Sequence, residues 1–199
     1  MDKLQIKGLC FSYGDEAVIN NLNLTLEKGK HLVLLGKSGI GKTTLLNLIL
    51  GFIKPDSGEI SGIDENTRIS VMYQEDRLFP QLTVYKNLKL VKKELDYKEA
   101  GELLSALSLE EKVLDKLPGE LSGGMRRRVA LARCLIFPSE LILMDEPFKG
   151  LDTESRKKCL EAVKKYTAAK PTLIISHEPQ DAEALRAEVV RMEDISDSQ

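Results

Sequence analysis

The sequence has no tryptophan, only two histidines and an aromatic fraction of 5%. Its 29 basic and 31 acidic residues nearly balance, which gives a formal net charge of −2. This composition lacks the basic field that binds DNA or RNA, so we expect no nucleic-acid partner. No apolar run reaches about 18 residues, which excludes a membrane-spanning helix. We therefore expect a soluble chain whose contact with any membrane passes through a partner protein.

Cysteine is also scarce. Cys10, Cys134 and Cys159 show neither the paired spacing of a disulfide framework nor the spacing of a metal site. We interpret them as small buried side chains in a reducing compartment. The chain has 199 residues, of which 42% are hydrophobic. This is enough for one α/β domain with a small added subdomain.

The most informative segment, residues 36–43 (GKSGIGKT), matches the phosphate-loop pattern G-x4-G-K-[ST]. An apolar strand pattern precedes it and a helical pattern follows, which is the context that the motif requires. Its glycines let backbone N–H groups converge on phosphate oxygens. Lys42 would contact the β- and γ-phosphates, and the Thr43 hydroxyl suits Mg²⁺. The residues predicted to bind nucleotide here are Gly36, Lys37, Ser38, Gly39, Ile40, Gly41, Lys42, Thr43 and Thr44.

A second segment, residues 141–146 (LILMDE), is an apolar run that ends in two carboxylates. Apolar residues on both faces predict a central parallel strand. Ligands bind at the carboxyl ends of such strands, so Asp145 should lie near the Mg²⁺ held by Thr43. Glu146 could polarise an attacking water.

A third segment, residues 121–125 (LSGGM), opens a predicted helix. Ser122 and the N–H groups of Gly123 and Gly124 could form a nest of donors for a γ-phosphate. Ser122 could equally be a simple helix cap. A chain with two phosphate-facing loops is too short for two nucleotide domains. We therefore expect it to share its sites with a second copy.

These motifs, in this order, resemble those of the ATP-binding subunits of ABC transporters. The resemblance extends to Tyr13, which would stack on adenine, and to Gln74, which would contact the metal and the attacking water. It also covers Asp152 of the D-loop and His177, which would contact the γ-phosphate. The resemblance implies Gln74, Glu146 and His177 as catalytic residues, Thr43, Gln74 and Asp145 as Mg²⁺ ligands, and Tyr13, Ser122, Gly123, Gly124 and Asp152 as further nucleotide contacts.

The implied fold is an α/β P-loop NTPase (RecA-like) core with a mostly parallel sheet. An antiparallel β-subdomain at the N-terminus and an inserted α-helical subdomain would complete it. The alternating pattern of residues 3–27 independently predicts half-buried antiparallel strands. We expect one domain over residues 1–199, with the core in residues 1–74 and 135–199 and the helical insert in residues 75–134. The polar tail, residues 193–199, should fray.

The implied function is ATP hydrolysis that closes a head-to-tail homodimer against membrane permease subunits. The cofactors would be ATP and Mg²⁺. Residues 74–80 (QEDRLFP) and 145–148 (DEPF), with the Gly-Gly-Met-Arg run, resemble importers of the nitrate, sulfonate and taurine type. Such a system also uses an extracytoplasmic substrate-binding protein. The chain would then be cytoplasmic and peripheral on the inner face of the cell membrane. Four residues could line an apolar groove for a permease helix or simply pack the helical subdomain: Leu78, Phe79, Leu82 and Val84.

The sequence departs from the family pattern at three places. Met125 replaces the common glutamine, Lys149-Gly150 replaces the usual Ser-Ala before the D-loop, and Glu178 follows His177 where aspartate is more usual. Three alternatives stay open: an exporter ATPase, a soluble ABC-type ATPase without transport, and a non-hydrolytic structural subunit. The presence of Lys42 and His177 argues against the last of these.

Overall fold

The computed structural model describes residues 1–193. Strands β1 (Lys3–Tyr13) and β2 (Glu16–Glu27) form an antiparallel hairpin, as the alternating pattern predicts. Strand β4 (Ser57–Ser61) pairs antiparallel with the other edge of β1, so the order of this sheet is β2-β1-β4. The expectation of a frayed tail falls largely on residues 194–199, which lie outside the described residues.

A second sheet of five strands is parallel throughout and has the order β5-β6-β7-β3-β8. Strand β6 is fully buried and interior, as its apolar run predicts. The order places the carboxyl ends of β3, β6 and β7 side by side at one edge, where loops can share a ligand. The strands are β3 (His31–Leu35), β5 (Ile69–Met72), β6 (Leu141–Asp145), β7 (Thr172–Ile175) and β8 (Glu188–Arg191).

Each interior strand sends alternate residues into two separate hydrophobic cores. In β6, Leu143 enters the core shared with the hairpin, whereas Met144 enters the core shared with the helices. Burial on both faces explains why the sequences of these strands are continuous apolar runs. Of the cysteines, Cys134 and Cys159 are buried as expected, but Cys10 is half-buried because it alternates with the inward residues of β1.

Within residues 1–193, six helices accompany the sheets: α1 (Lys42–Ile49), α2 (Val84–Lys89), α3 (Tyr97–Ala106), α4 (Gly123–Ile136), α5 (Thr153–Thr167) and α6 (Pro179–Leu185). Four of them, α2 to α5, begin at a residue whose side chain accepts a backbone N–H: Thr83, Asp96, Ser122 and Asp152. Helix α1 lacks such a cap. It begins at Gly41, and its first N–H groups therefore remain available to an anion.

The segment between β5 and β6 is helical, as predicted. It contains α2, α3 and α4, with short 3₁₀ turns at Glu111–Asp115 and Pro118–Glu120. Together these features are a P-loop NTPase core with an antiparallel sheet and added helices, which confirms the fold class. The division at residues 74 and 135 stays a prediction; α4 itself continues to Ile136. Within residues 1–193, no helix combines the length and apolar character needed to cross a membrane.

Candidate nucleotide site

One cavity of about 320 Å³ lies at the carboxyl edge of the parallel sheet. It collects predicted site residues from the hairpin, from the phosphate loop and from the ends of β5, β6 and β7. Three others, Gly36, Lys37 and Ile40, lie in the same loop without lining the cavity. The predicted residues that line it are Tyr13, Ser38, Gly39, Gly41, Lys42, Thr43, Thr44, Gln74, Asp145, Glu146 and His177.

The phosphate loop turns into α1 through Gly41, whose φ of 103° is open to glycine but strained for other residues. A Cβ at this position would lie 2.7 Å from Cγ1 of Val18. The Lys42 ammonium donates to the carbonyls of Gly36 at 2.6 Å and Lys37 at 2.8 Å. Burial lowers the pKa of Lys42, against the opposing charges of Glu146 and Asp145. The loop thus holds a buried cation beside uncapped helix N–H groups, an arrangement suited to phosphate.

Thr43 and Asp145 meet at the floor of the cavity. The hydroxyl of Thr43 donates to Oδ2 of Asp145 at 3.4 Å. Burial raises the pKa of Asp145, although the Thr43 hydrogen bond and the charge of Lys42 oppose the shift. A hydroxyl and a carboxylate suit Mg²⁺, which usually completes its shell with water and substrate phosphates. Residues 1–193 contain no cluster of three His, Cys, Asp or Glu side chains placed to hold a metal.

Glu146 follows β6 directly and lies against His177, which follows β7. Nε2 of His177 is 2.8 Å from Oε1 of Glu146. Oε1 of Glu146 is buried and accepts no hydrogen bond from the described residues. Burial raises the pKa of Glu146 above its ordinary value, and the charge of His177 opposes this shift. A buried carboxylate with an unused acceptor can accept a proton from water.

Tyr13 and Gln74 both line the cavity. The ring of Tyr13 is 54% exposed and packs edge-on against Phe11, with centroids 4.8 Å apart. Its free face is available for stacking on a base. Gln74 lies just beyond β5, is exposed, and lines the same cavity as Asp145 and Glu146.

Four predicted nucleotide contacts do not reach this cavity. Ser122 caps α4, accepting from the N–H of Met125 at 3.2 Å, and Gly123 is exposed while Gly124 is half-buried. Asp152 caps α5, accepting from the N–H of Ser155 at 2.9 Å, and the bonds from Ser155 lower its pKa. The helix-cap interpretation of Ser122 is therefore correct within one chain. It leaves open whether a second copy uses the same loop.

Sequence reasoning missed several residues of the site. Glu16, Val18 and Lys149 also line the cavity, and no motif marks the first two. Arg127 lies directly behind the cavity, where it donates to the carbonyls of Asp145 and Glu146. One signal could have found it: Arg127 belongs to an apolar stripe of α4 with Ala130, Leu131 and Cys134, at the spacing of a buried helix face.

A family model described as "ABC transporter" matches residues 19–149. The chain belongs to the ABC transporter ATP-binding family. It is 42% identical over 183 residues to the thiamine import ATP-binding protein ThiQ of Photobacterium profundum, a match that covers 84% of this chain and 76% of that protein. It is 34% identical over 203 residues to the ergothioneine transport ATP-binding protein EgtV of Helicobacter pylori, covering 94% and 95% of the two chains.

A solved structure extends these comparisons. The ATP-binding cassette MJ0796, as a dimer in a post-hydrolysis state with ADP and Pi, superposes with a TM-score of 0.80. It is 28% identical to this chain, and the match covers 94% of this chain and 93% of that one. The family and this hydrolysis state confirm an ABC-type ATP hydrolase that serves a transporter. The finer resemblance to nitrate, sulfonate and taurine importers stays a prediction, because the relatives named here are thiamine and ergothioneine proteins.

Proposed function

We propose that this chain powers an importer by hydrolysing ATP at sites shared between two copies of itself. The observation that carries the proposal is the single cavity that joins the phosphate loop to Asp145, Glu146, Gln74 and His177. These residues come from four separate elements, and the parallel sheet brings them to one edge.

The phosphate loop would hold the triphosphate of ATP. The uncapped start of α1 offers N–H donors and the positive end of the helix dipole. The ammonium of Lys42, lodged among carbonyls of its own loop, would gain a stronger anionic partner. Tyr13 would stack on the adenine.

Thr43, Asp145 and Gln74 would hold Mg²⁺ together with phosphate oxygens and water. The ion supplies charge neutralisation between the β- and γ-phosphates when bound. The Thr43 hydroxyl lies 3.4 Å from Oδ2 of Asp145, which supports a single ion in contact with both oxygens.

Glu146 would position and deprotonate the attacking water. Its raised pKa brings the carboxyl closer to neutral pH, where a general base is most effective. His177, beside it, would hold the γ-phosphate and the water in line.

The loop of Ser122, Gly123 and Gly124 would complete the site of a second copy. It is exposed, opens a helix and lies away from the cavity of its own chain. ATP would join the two copies, because its γ-phosphate gains these donors only on closure. Asp152 would lie in the same interface. The dimeric state of the cassette MJ0796 supports this arrangement.

Import is supported by the names of the relatives, which are thiamine import and ergothioneine transport proteins. The importer would place the chain in the cytoplasm, peripheral on the inner face of the membrane, bound to permease subunits. An extracytoplasmic binding protein would deliver the substrate. We assign no substrate, because none of the residues of this site need touch one.

A permease helix would dock on a surface centred at Phe79, which is 53% exposed. The buried side chain of Asn87 fixes the backbone there, bonding both the N–H and the carbonyl of Phe79. Leu78 and Leu82 are half-buried beside it, whereas Val84 is fully buried, in agreement with the alternative that it packs the helical subdomain. Phe79→Ser should abolish transport in the assembled system while ATPase of the isolated chain stays within about twofold, because surface changes rarely disturb a core. Unchanged transport would argue against docking here.

The proposed function is tested with Glu146→Gln. This variant should lose turnover almost completely and form a dimer with ATP and Mg²⁺ on gel filtration, because it binds nucleotide but cannot activate water. Wild type without nucleotide is the control and should elute as a monomer. Turnover that survives in the variant, or a variant that stays monomeric with ATP, would contradict the proposal.

A further inference from the structure

The side chain of Arg127 is buried at the junction of α4 with the two loops that carry Gln74 and Glu146. Only 6% of it is exposed. One guanidinium nitrogen donates to the carbonyls of Tyr73 and Gln74, both at 2.9 Å. The other donates to the carbonyls of Asp145 at 2.7 Å and Glu146 at 2.5 Å. One side chain thus bonds the backbone after β5 and the backbone after β6.

The stability of the fold does not explain why position 127 is an arginine. Burying a guanidinium is costly, and its one anionic partner is the half-buried Asp76, 3.2 Å away. Its Nε has no hydrogen-bond partner among the described residues. The neighbouring positions of the stripe are Ala130, Leu131 and Cys134, and an apolar residue would continue it. The hydrogen-bond acceptors of Arg127 therefore indicate its role better than its burial does.

The backbone of Glu146 needs support. Its φ is 52°, a left-handed conformation that is strained for a residue with a side chain. The N–H of Glu146 donates to the carbonyl of Ile175 at 3.0 Å. Its carbonyl accepts a hydrogen bond from the guanidinium of Arg127. This strained turn aims the carboxylate into the cavity. Without Arg127, both carbonyls at the turn would lose a charged donor.

We infer that Arg127 is a positioning residue that fixes the catalytic loops of Gln74 and Glu146 relative to each other. The inference rests on the roles proposed above for these two side chains. Because Arg127 belongs to the helix that begins at Ser122, it also ties these loops to the loop that would face the partner's ATP. Lysine cannot replace it, since an ammonium lacks the planar fork that reaches four carbonyls on two loops.

The test compares Arg127→Met and Arg127→Lys with Arg128→Met. Arg128 is the matched control: it lies on the same helix, is half-buried, and bonds the carbonyls of Leu107, Ser108 and Gly124, none of which lies in the loops of Gln74 and Glu146. Both Arg127 variants should lose about 10- to 100-fold in kcat, the cost of small misplacement of reacting groups. KM for ATP should change less than about threefold, because the phosphate loop is untouched. The control should lose stability but keep its kcat within about threefold.

Thermal unfolding of each variant separates positioning from folding. A kcat that stays near wild type in Arg127→Lys, or a rise in KM with kcat preserved, would overturn the inference. An equal loss of kcat in Arg128→Met would overturn it as well, because any buried arginine of α4 would then suffice. If Arg127→Met does not fold, Arg127→Lys decides alone. Failure of the proposed function would show separately, as turnover that persists in Glu146→Gln with Arg127 intact.

Discussion

Two helices of this chain begin after glycine-rich loops, and they begin in opposite ways. Helix α1 starts at the left-handed Gly41 without a side-chain cap, beside a cavity that holds a buried lysine and two buried carboxylates. Helix α4 starts at Ser122, whose hydroxyl caps it, and its two glycines have ordinary φ values. The fold requires a glycine at the first site but not at the second.

This difference bears on the proposal that the loop of Ser122, Gly123 and Gly124 serves the site of a second copy. A Cβ at Gly123 would approach only the far end of Arg126, at 3.9 Å. A Cβ at Gly124 would make ordinary contacts of 3.8 Å with Gly150 and Leu151. Neither glycine is needed inside one chain. Their use is explained if a ligand held by another copy must approach the backbone closely.

The largest effect should follow from Gly41→Ala. A Cβ would clash with Val18, and alanine would be held at a φ of 103°. We expect a loss of about 1–3 kcal/mol of folding free energy, typical of strained backbone. ATP binding should fall at least 10-fold, since the turn that aligns the phosphate loop must shift. Urea unfolding and nucleotide titration measure the two effects.

Gly39→Ala serves as the control for that prediction. A Cβ at Gly39 would meet nothing within 4 Å, although its φ of 85° is also strained. Its stability should therefore lie between wild type and Gly41→Ala. Equal stability of Gly41→Ala and wild type would show that the contact with Val18 does not constrain the loop.

Gly123→Ala should break the second half-site without harming the fold. Alanine favours helix over glycine by up to about 1 kcal/mol, so the chain should unfold at the same or a higher temperature. ATP binding to the monomer should stay unchanged. Turnover should drop about 10-fold or more, because the added methyl group lies where the partner's phosphate would approach. In the Glu146→Gln background, the ATP-dependent dimer should weaken.

Full activity of Gly123→Ala would mean that this loop binds no phosphate and only caps a helix. A loss of activity together with a loss of stability would point to a folding defect instead. Comparing Gly41→Ala with Gly123→Ala thus distinguishes a glycine that the fold requires from a glycine that a second copy requires.

The sequence predicted the phosphate loop, the buried strand β6 and the hairpin, because each follows from short-range pattern. The motif spacing placed Thr43 and Asp145 correctly: the parallel sheet brings them within hydrogen-bond distance. Periodicity cannot show which strand neighbours which, so the strand order β5-β6-β7-β3-β8 was not predicted from the sequence. Val84 was predicted either to line a groove or to pack the helical subdomain, and it is buried, because a hydrophobic residue fits either place.

The role of Arg127 could not be predicted from its chemistry. It stands in a run of three arginines, and arginine is normally exposed. Its partners include backbone carbonyls of residues 18 to 54 positions away. Every residue has such a carbonyl, so the identities of the partner residues do not reveal these bonds. The roles assigned to Ser122 and Asp152 also stay predictions, because a single chain shows them only as helix caps.

A smaller effect is expected from the opposite pKa shifts of Glu146 in the cavity and Asp152 at the start of α5. Burial raises the pKa of Glu146, so the folded state holds this proton more tightly than the unfolded state. Stability is therefore lost as the pH rises above the ordinary value of 4.5 through the raised pKa. Glu146→Gln removes the titration. The melting temperature of the variant should exceed that of wild type by a few degrees at pH 7, and the excess should shrink below about pH 4.

Asp152 should behave in the opposite sense. Hydrogen bonds from Ser155 lower its pKa, so its contribution is present above its ordinary value of 3.8 and is lost as the pH falls through the lowered pKa. Asp152→Asn should therefore melt at or slightly below the wild-type temperature at pH 7, with the difference closing in acid. Melting curves from pH 3 to pH 8 would show the two variants diverging in opposite directions. If both variants shift in the same direction relative to wild type, the nucleotide cavity is as well solvated as the cap of α5. The contrast between the two half-sites would then rest on backbone geometry alone.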